Sequence, residues 1–356
     1  MNRIDAFLEL AVNQGGSDVH LVSGQPLRIR LHGTLQPVRF RELTARDVDD
    51  FLEEFMTEEQ RAVLARDHHL DFAYESEKAG RFRVNVYQHV TGLGAAMRVV
   101  PTSPPTLASI GLPGVVEHML AVGKGLVLVT GPTGSGKSTT LAGMVSHLNA
   151  TRRGHIVTIE DPIEFVHRYD KCVITQREIG AHAPTFGEAL RSAIREDPDV
   201  ILVGEMRDLE TISLALTAAE TGIMVLGTVH TNGAVRCVDR IVNVFPSRRQ
   251  EQVRSMLADS LRLVVSQQLV CKADHSGRLV AAEVMVNTHA VSSMIRQGNA
   301  HKLQSAILAG TRAGMQSLDA VLLDLVRREV ISGEEAYEHA VERASFEGYV
   351  AQDTAA

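Results

Sequence analysis

Residues 131–138 read Gly-Pro-Thr-Gly-Ser-Gly-Lys-Ser, directly after the apolar run Leu126 to Thr130. Glycines at this spacing let successive backbone N–H groups curl around phosphate oxygens without a side-chain clash. The arrangement works where a strand ends and a helix begins, because the helix N-terminus adds its positive dipole to the cradle. The segment therefore predicts a P-loop in an α/β layer. Gly131, Pro132, Thr133, Gly134, Ser135, Gly136, Lys137, Ser138 and Thr139 are the predicted phosphate-binding residues. Lys137 is placed to reach the β- and γ-phosphates and Ser138 to put its hydroxyl on Mg2+, so ATP and Mg2+ are the implied cofactors.

Three more short, continuous apolar segments follow, Ile156 to Ile159, Val200 to Val203 and Val225 to Val229, alternating with amphipathic helical stretches. Strands buried on both faces of a parallel sheet read this way, with ligands beyond their carboxyl ends. The first of them ends in Glu160, Asp161 and Glu164, around Pro162. Like charges crowded at one place are costly unless a cation or a water network uses them. Phosphoryl transfer needs acids for both purposes, so Glu160 and Glu164 join Ser138 as the candidate Mg2+ set. A solvated acidic turn is the alternative. The next segment ends in Gly204-Glu205, and Glu205 is the predicted water-polarising residue. The last ends in Val229-His230-Thr231-Asn232, where His230 is a γ-phosphate sensor or a structural histidine. The other histidines, His68 and His69 included, lack metal-ligand spacing and read as surface or packing residues.

A chain of 356 residues has room for two domains with real cores. Residues 1–100 alternate like a small α+β unit. Its strands are expected at Asp18 to Val22, Leu27 to Leu31, Arg81 to Tyr87 and Gly94 to Val100. One helix is expected over Thr44 to Leu64, with Thr44 as N-cap. The cluster Pro101-Thr-Ser-Pro-Pro105 opens a linker over 101–114. The ATPase core follows over 115–289, then a segment helical throughout over 290–356, frayed from Ala351 onward. A net charge of −7 argues against a nucleic-acid binder. Cys172, Cys237 and Cys271 show no CxxC pairing and read as small buried hydrophobes of a reduced, cytoplasmic chain. No apolar run approaches the ~18 residues of a membrane span.

With these residues in hand, the chain resembles the secretion-type hexameric ATPases, and among them the PilT-like ATPases of type IV pilus retraction and twitching motility. Ser17-Asp18-Val19-His20-Leu21 and Arg81-Phe82-Arg83-Val84-Asn85 resemble the family's N-terminal PAS-like domain. Gly131 to Thr139 resembles its Walker A element and Ile159 to Phe165 its acidic box. Pro198 to Asp208 resembles its Walker B, with Gly204 where many families carry Asp, and Gly227 to Asn232 resembles its histidine box. Gly314-Met-Gln-Ser-Leu-Asp319 matches the C-terminal segment of retraction-type members. The absence of a tetracysteine module also favours retraction over extension.

The resemblance implies a PAS-like α+β domain followed by a RecA-like P-loop ATPase domain, a homohexamer, and ATP held between the two domains. It also implies an inner-membrane platform protein as partner and a peripheral location at that membrane. Arg81 and Arg83 become candidates for meeting the γ-phosphate, against the plainer reading of exposed charge on an alternating strand. Arg195 and Arg207 are placed to orient the acids. Met294-Ile-Arg-Gln-Gly298 departs from the family's Ala-Ile-Arg-Asn-Leu, which keeps open an accessory PilU-like subunit or scaffold working beside a paralogous retraction ATPase.

Overall fold

The computed structural model describes residues 2–31, 33–101, 104–274 and 276–353. The chain forms two compact units, Met1–Ser103 and Pro104–Ala356. In the first, six strands make one antiparallel sheet in the order β3-β2-β1-β6-β5-β4. They are β1 (Asp18–Val22), β2 (Pro26–Leu31), β3 (Thr34–Glu42), β4 (His69–Ser76), β5 (Gly80–His89) and β6 (Gly92–Val100). Period-2 alternation sends Phe82, Val84 and Val86 of β5 inward, into a core shared with Ile4 and Leu8 of the helix Arg3–Asn13. This is the expected PAS-like α+β arrangement. The single helix expected from Thr44 is two helices, Ala45–Glu53 and Glu58–Asp67. Thr57 caps the second, its hydroxyl accepting from the Gln60 N–H while Gln60 returns to the Thr57 N–H. That reciprocal box starts a helix where periodicity alone suggested continuation. Strand β3 escaped the sequence reading because most of its residues are exposed, which leaves no apolar alternation.

The second unit is built on a seven-stranded sheet, ordered β13-β12-β7-β11-β10-β8-β9. Its strands are β7 (Gly125–Thr130), β8 (Gly154–Glu160), β9 (Cys172–Glu178), β10 (Val200–Val203), β11 (Met224–Val229), β12 (Leu261–Cys271) and β13 (Arg278–Val286). Neighbours run parallel except for the antiparallel β12–β13 pair. Every residue of β7, β10 and β11 is buried. This explains their continuous apolar sequences.

Residues after 289 are not helical throughout. Gln316 forms an antiparallel bridge with Val284 of β13, between the helices Leu303–Ala309 and Leu318–Arg327. Leu318, Leu322, Val326 and Phe346 then share an apolar cluster with Val270 of β12 and Ala281 of β13. Of the expected linker, Thr102 and Ser103 lie outside the described residues, as do the last three residues of the expected frayed end. Cys172 and Cys237 are buried, whereas Cys271 is exposed at the end of β12, contrary to its reading as a buried hydrophobe. Among the described residues no helix is long and apolar enough to cross a membrane.

Candidate active site

Parallel register sets the site. Val229 of β11 pairs with Thr130 of β7, and Val203 of β10 pairs with both Gly227 of β11 and Ile159 of β8. The carboxyl ends of four adjacent strands therefore lie in one row, carrying the P-loop, His230, Glu205 and Glu160. Beyond them is a cleft of 480 Å³, whose walls include Lys137, Ser138, Thr139, Glu160, Glu164, Glu205 and His230. Seven expected residues from four separate sequence segments thus meet in one place. Arg207 joins them, while Arg195 is exposed and is not among the lining residues. Arg81 and Arg83 belong to the first unit, on the face of β5 opposite Phe82 and Val84, and Arg83 lies 3.9 Å from Asp71.

The loop between β7 and the helix Lys137–Thr151 is held from several sides. Gly131 has φ +149°, and a Cβ there would stand 2.3 Å from the Gln267 carbonyl oxygen, so no larger residue fits. Lys137 donates to the carbonyls of Gly131 (3.0 Å) and Pro132 (2.9 Å). Burial lowers its pKa, partly opposed by Glu205 and Glu164. Thr130 Oγ1 lies 2.8 Å from the Val229 carbonyl oxygen and accepts from the Thr231 N–H at 3.1 Å, tying the P-loop strand to the His230 segment.

Glu205 meets two donors on the same oxygen. His230 Nε2 is 2.9 Å from Glu205 Oε1, and Arg207 Nε bonds the same atom. Burial and then Lys137 lower the His230 pKa, so a neutral imidazole donates to the carboxylate. Gly204 is explained by packing: a Cβ would be 3.1 Å from the Ile159 carbonyl oxygen and 3.2 Å from Glu160 Cα. Strand β8 runs so close that a side chain at this position would press on its backbone.

Thr158 donates to Glu160 Oε1 (2.6 Å), and Gln176 reaches the same oxygen at 3.4 Å. Burial nevertheless pushes the Glu160 carboxyl up to about 7. The folded state then holds that proton more tightly than the unfolded chain. Stability from this group is full on the acid side of the ordinary Glu range and is lost as pH rises through about 7. Ligand-free protein is thus expected to lose more melting temperature between about pH 5 and pH 8 than a Glu160→Gln variant does. Equal pH slopes in thermal melts of the two proteins would contradict this assignment.

A bound cation would reverse the same penalty. Mg2+ usually takes one or two carboxylates together with substrate phosphates and water rather than a full protein cage. Ser138, Glu160 and Glu164 on one cleft fit that pattern. Among the described residues no group of three or more His, Cys, Asp or Glu is clustered as a self-sufficient metal site.

Several site residues escaped the sequence reading. His167, read as packing or surface, lines the cleft, and burial holds its pKa down near 4. Ser266 of β12 accepts from the Gly233 N–H (2.9 Å), and the buried Glu283 of β13 accepts from the Ala234 N–H (2.7 Å). These two fix the loop after His230. Gln267 of β12, fully buried, donates to the Ser135 carbonyl (2.6 Å) and accepts from Thr140 Oγ1 (2.8 Å). The available signal was the polar trio Ser266-Gln267-Gln268 inside an apolar strand, since buried polar side chains need partners.

Residues 1–345 match the family described as Type II/IV secretion system protein. The type IV pilus retraction ATPase PilT of Pseudomonas aeruginosa is 47% identical over 337 residues, covering 95% of this chain and 98% of that protein. The type IV pilus ATPase PilU of the same organism is 37% identical over 336 residues, covering 94% and 88%. A crystal structure of the pilus retraction motor PilT with bound ADP superposes with a TM-score of 0.90 at 39% identity, covering 97% of this chain and 98% of that one. The row of strand ends around a P-loop is that of a nucleotide-binding ATPase. The chain belongs to the type II/IV secretion system protein family.

Proposed function

We propose that this chain is a motor that couples Mg-ATP hydrolysis to retraction of a type IV pilus. The observation that carries the reading is the 47% identity to a retraction ATPase over 95% of the chain, together with Lys137, Glu205 and His230 meeting at one cleft. The loop Gly131 to Thr139 would hold the phosphates, and Ser138 with Glu160 and Glu164 would hold Mg2+, which would supply charge neutralisation for phosphoryl transfer. His230 and Arg207 occupy Glu205 Oε1, which leaves Oε2 to accept from a water and aim it in line with the phosphoryl group. His230 reads the γ-phosphate through the same hydrogen bond. Arg81 and Arg83, on the first unit, supply positive charge against the γ-phosphate. In this reading residues 1–100 and 115–289 are the two working domains, 101–114 the linker between them, and 290–356 the C-terminal segment. Six copies form a ring at the cytoplasmic face of the inner membrane, seated on a platform protein.

A second reading, an accessory PilU-like subunit or scaffold, is favoured only by Met294 to Gly298, where the helix His289–Arg296 ends and Gly298 takes φ +73°. The greater identity to PilT than to PilU, 47% against 37%, favours the motor. Complementing a strain that lacks all its retraction ATPases with this chain alone tests the choice. Retraction is expected. Retraction only when a paralogous ATPase is also supplied would establish the accessory role.

A further inference from the structure

We infer that Gln267 is a positioning residue for nucleotide binding: it sets the direction of a P-loop backbone N–H from a strand outside the loop. The Ser135 carbonyl and the Gly136 N–H belong to one planar trans peptide and point in opposite directions. Gln267 Nε2 pulls that carbonyl outward toward β12 at 2.6 Å, and the N–H at the other end of the peptide is thereby aimed into the loop. Gly136 has φ +84° and is the N-cap of the helix Lys137–Thr151, so its peptide has no rigid side chain to fix its rotation.

The amide itself is fixed by Thr140. Its Oγ1 donates to Gln267 Oε1 at 2.8 Å, which forces the amide's N–H2 toward Ser135. Both ends of the amide are satisfied, and the side chain is fully buried. The loop in turn constrains the strand, because the Gln267 backbone carbonyl lies where a Cβ on Gly131 would collide. The packing therefore leaves Gln267 one position and one amide orientation. Nothing in this chain of contacts touches the γ-phosphate end of the cleft, where Glu205 and His230 lie. Gln267 thus contributes to ground state and transition state alike, and its loss belongs in nucleotide affinity rather than in the chemical step.

The inference rests on the loop being the phosphate cradle, and the test separates the two. A Gln267→Met variant keeps the side-chain volume and removes the amide. It is expected to raise the ATP KM and the ADP dissociation constant about 10-fold, the scale of one buried hydrogen bond, with kcat within about twofold of wild type. Thr140→Val is expected to shift KM in the same direction, and Thr140→Ser, which keeps the hydroxyl, to restore it. In a Gln267→Met background, Thr140→Val should add little, because the two act as one unit. A fall in kcat and in the fraction of active protein at unchanged KM would mean that Gln267 is only structural and would overturn the inference. So would additive effects of the two substitutions. Lys137→Ala run alongside reports on the cradle: if it leaves ADP affinity and turnover intact, the cradle assignment itself fails.

Discussion

Lys137→Ala is expected to lower ATP turnover by about 10³-fold, the scale seen when one charge-stabilising donor is removed from a transition state. The reason is local. Lys137 is buried at the N-terminus of its helix, and in the proposed site it is the lysine whose ammonium would follow charge from the β- to the γ-phosphate. Its hydrogen bonds within the loop go to two backbone carbonyls, Gly131 and Pro132, which place the ammonium at the mouth of the loop. Burial already lowers its pKa, so its charge is held at a cost that phosphate repays. Alanine removes that cost along with the charge. The variant should therefore melt within a few degrees of wild type while phosphate release falls to background. A rate within tenfold of wild type, measured at saturating Mg-ATP, is incompatible with the site.

Glu205→Gln is expected to separate binding from hydrolysis. The amide keeps the shape and the contact with His230 but cannot take a proton from water, which removes about 10²- to 10³-fold of general-base assistance. Two donors on one carboxylate oxygen mark Glu205 as a residue held in place by neighbours rather than a surface charge. Tight ATP binding with turnover nearly lost is the expected pair of results, read by a fluorescent-nucleotide titration and a phosphate-release assay on the same preparation. Loss of binding together with turnover would make Glu205 part of the metal or phosphate set instead.

The P-loop, Glu160, Glu205 and His230 were legible because each ends a strand buried on both faces, and such strands announce themselves as short apolar runs. Register then brings the ends together, which no local pattern states but parallel order makes nearly unavoidable. Gln267, Ser266 and Glu283 were not legible. They sit within β12 and β13, where a polar residue in an apolar run marks a need for partners without naming them. Gly204 was read as a departure from a common pattern; the backbone of β8 supplies its physical reason. Strand β3 was missed because exposure erases alternation, and the break at Thr57 because a cap can start a new helix inside one periodic stretch.

The same two strands decide how the second unit can be divided. Gln267 faces the phosphate loop, while its neighbour Gln268 accepts from His339 at 2.6 Å and the Cys271 N–H donates to Glu335 at 2.6 Å. Val270 and Ala281 complete their burial against Leu318, Leu322 and Phe346. A fragment cut near residue 290 would therefore leave the strand that braces the nucleotide loop bare along one side. The helices after it are not an appendage to a finished catalytic domain. They form the outer wall of its last strand pair, and the smallest fragment that binds nucleotide as the whole chain does has to retain them.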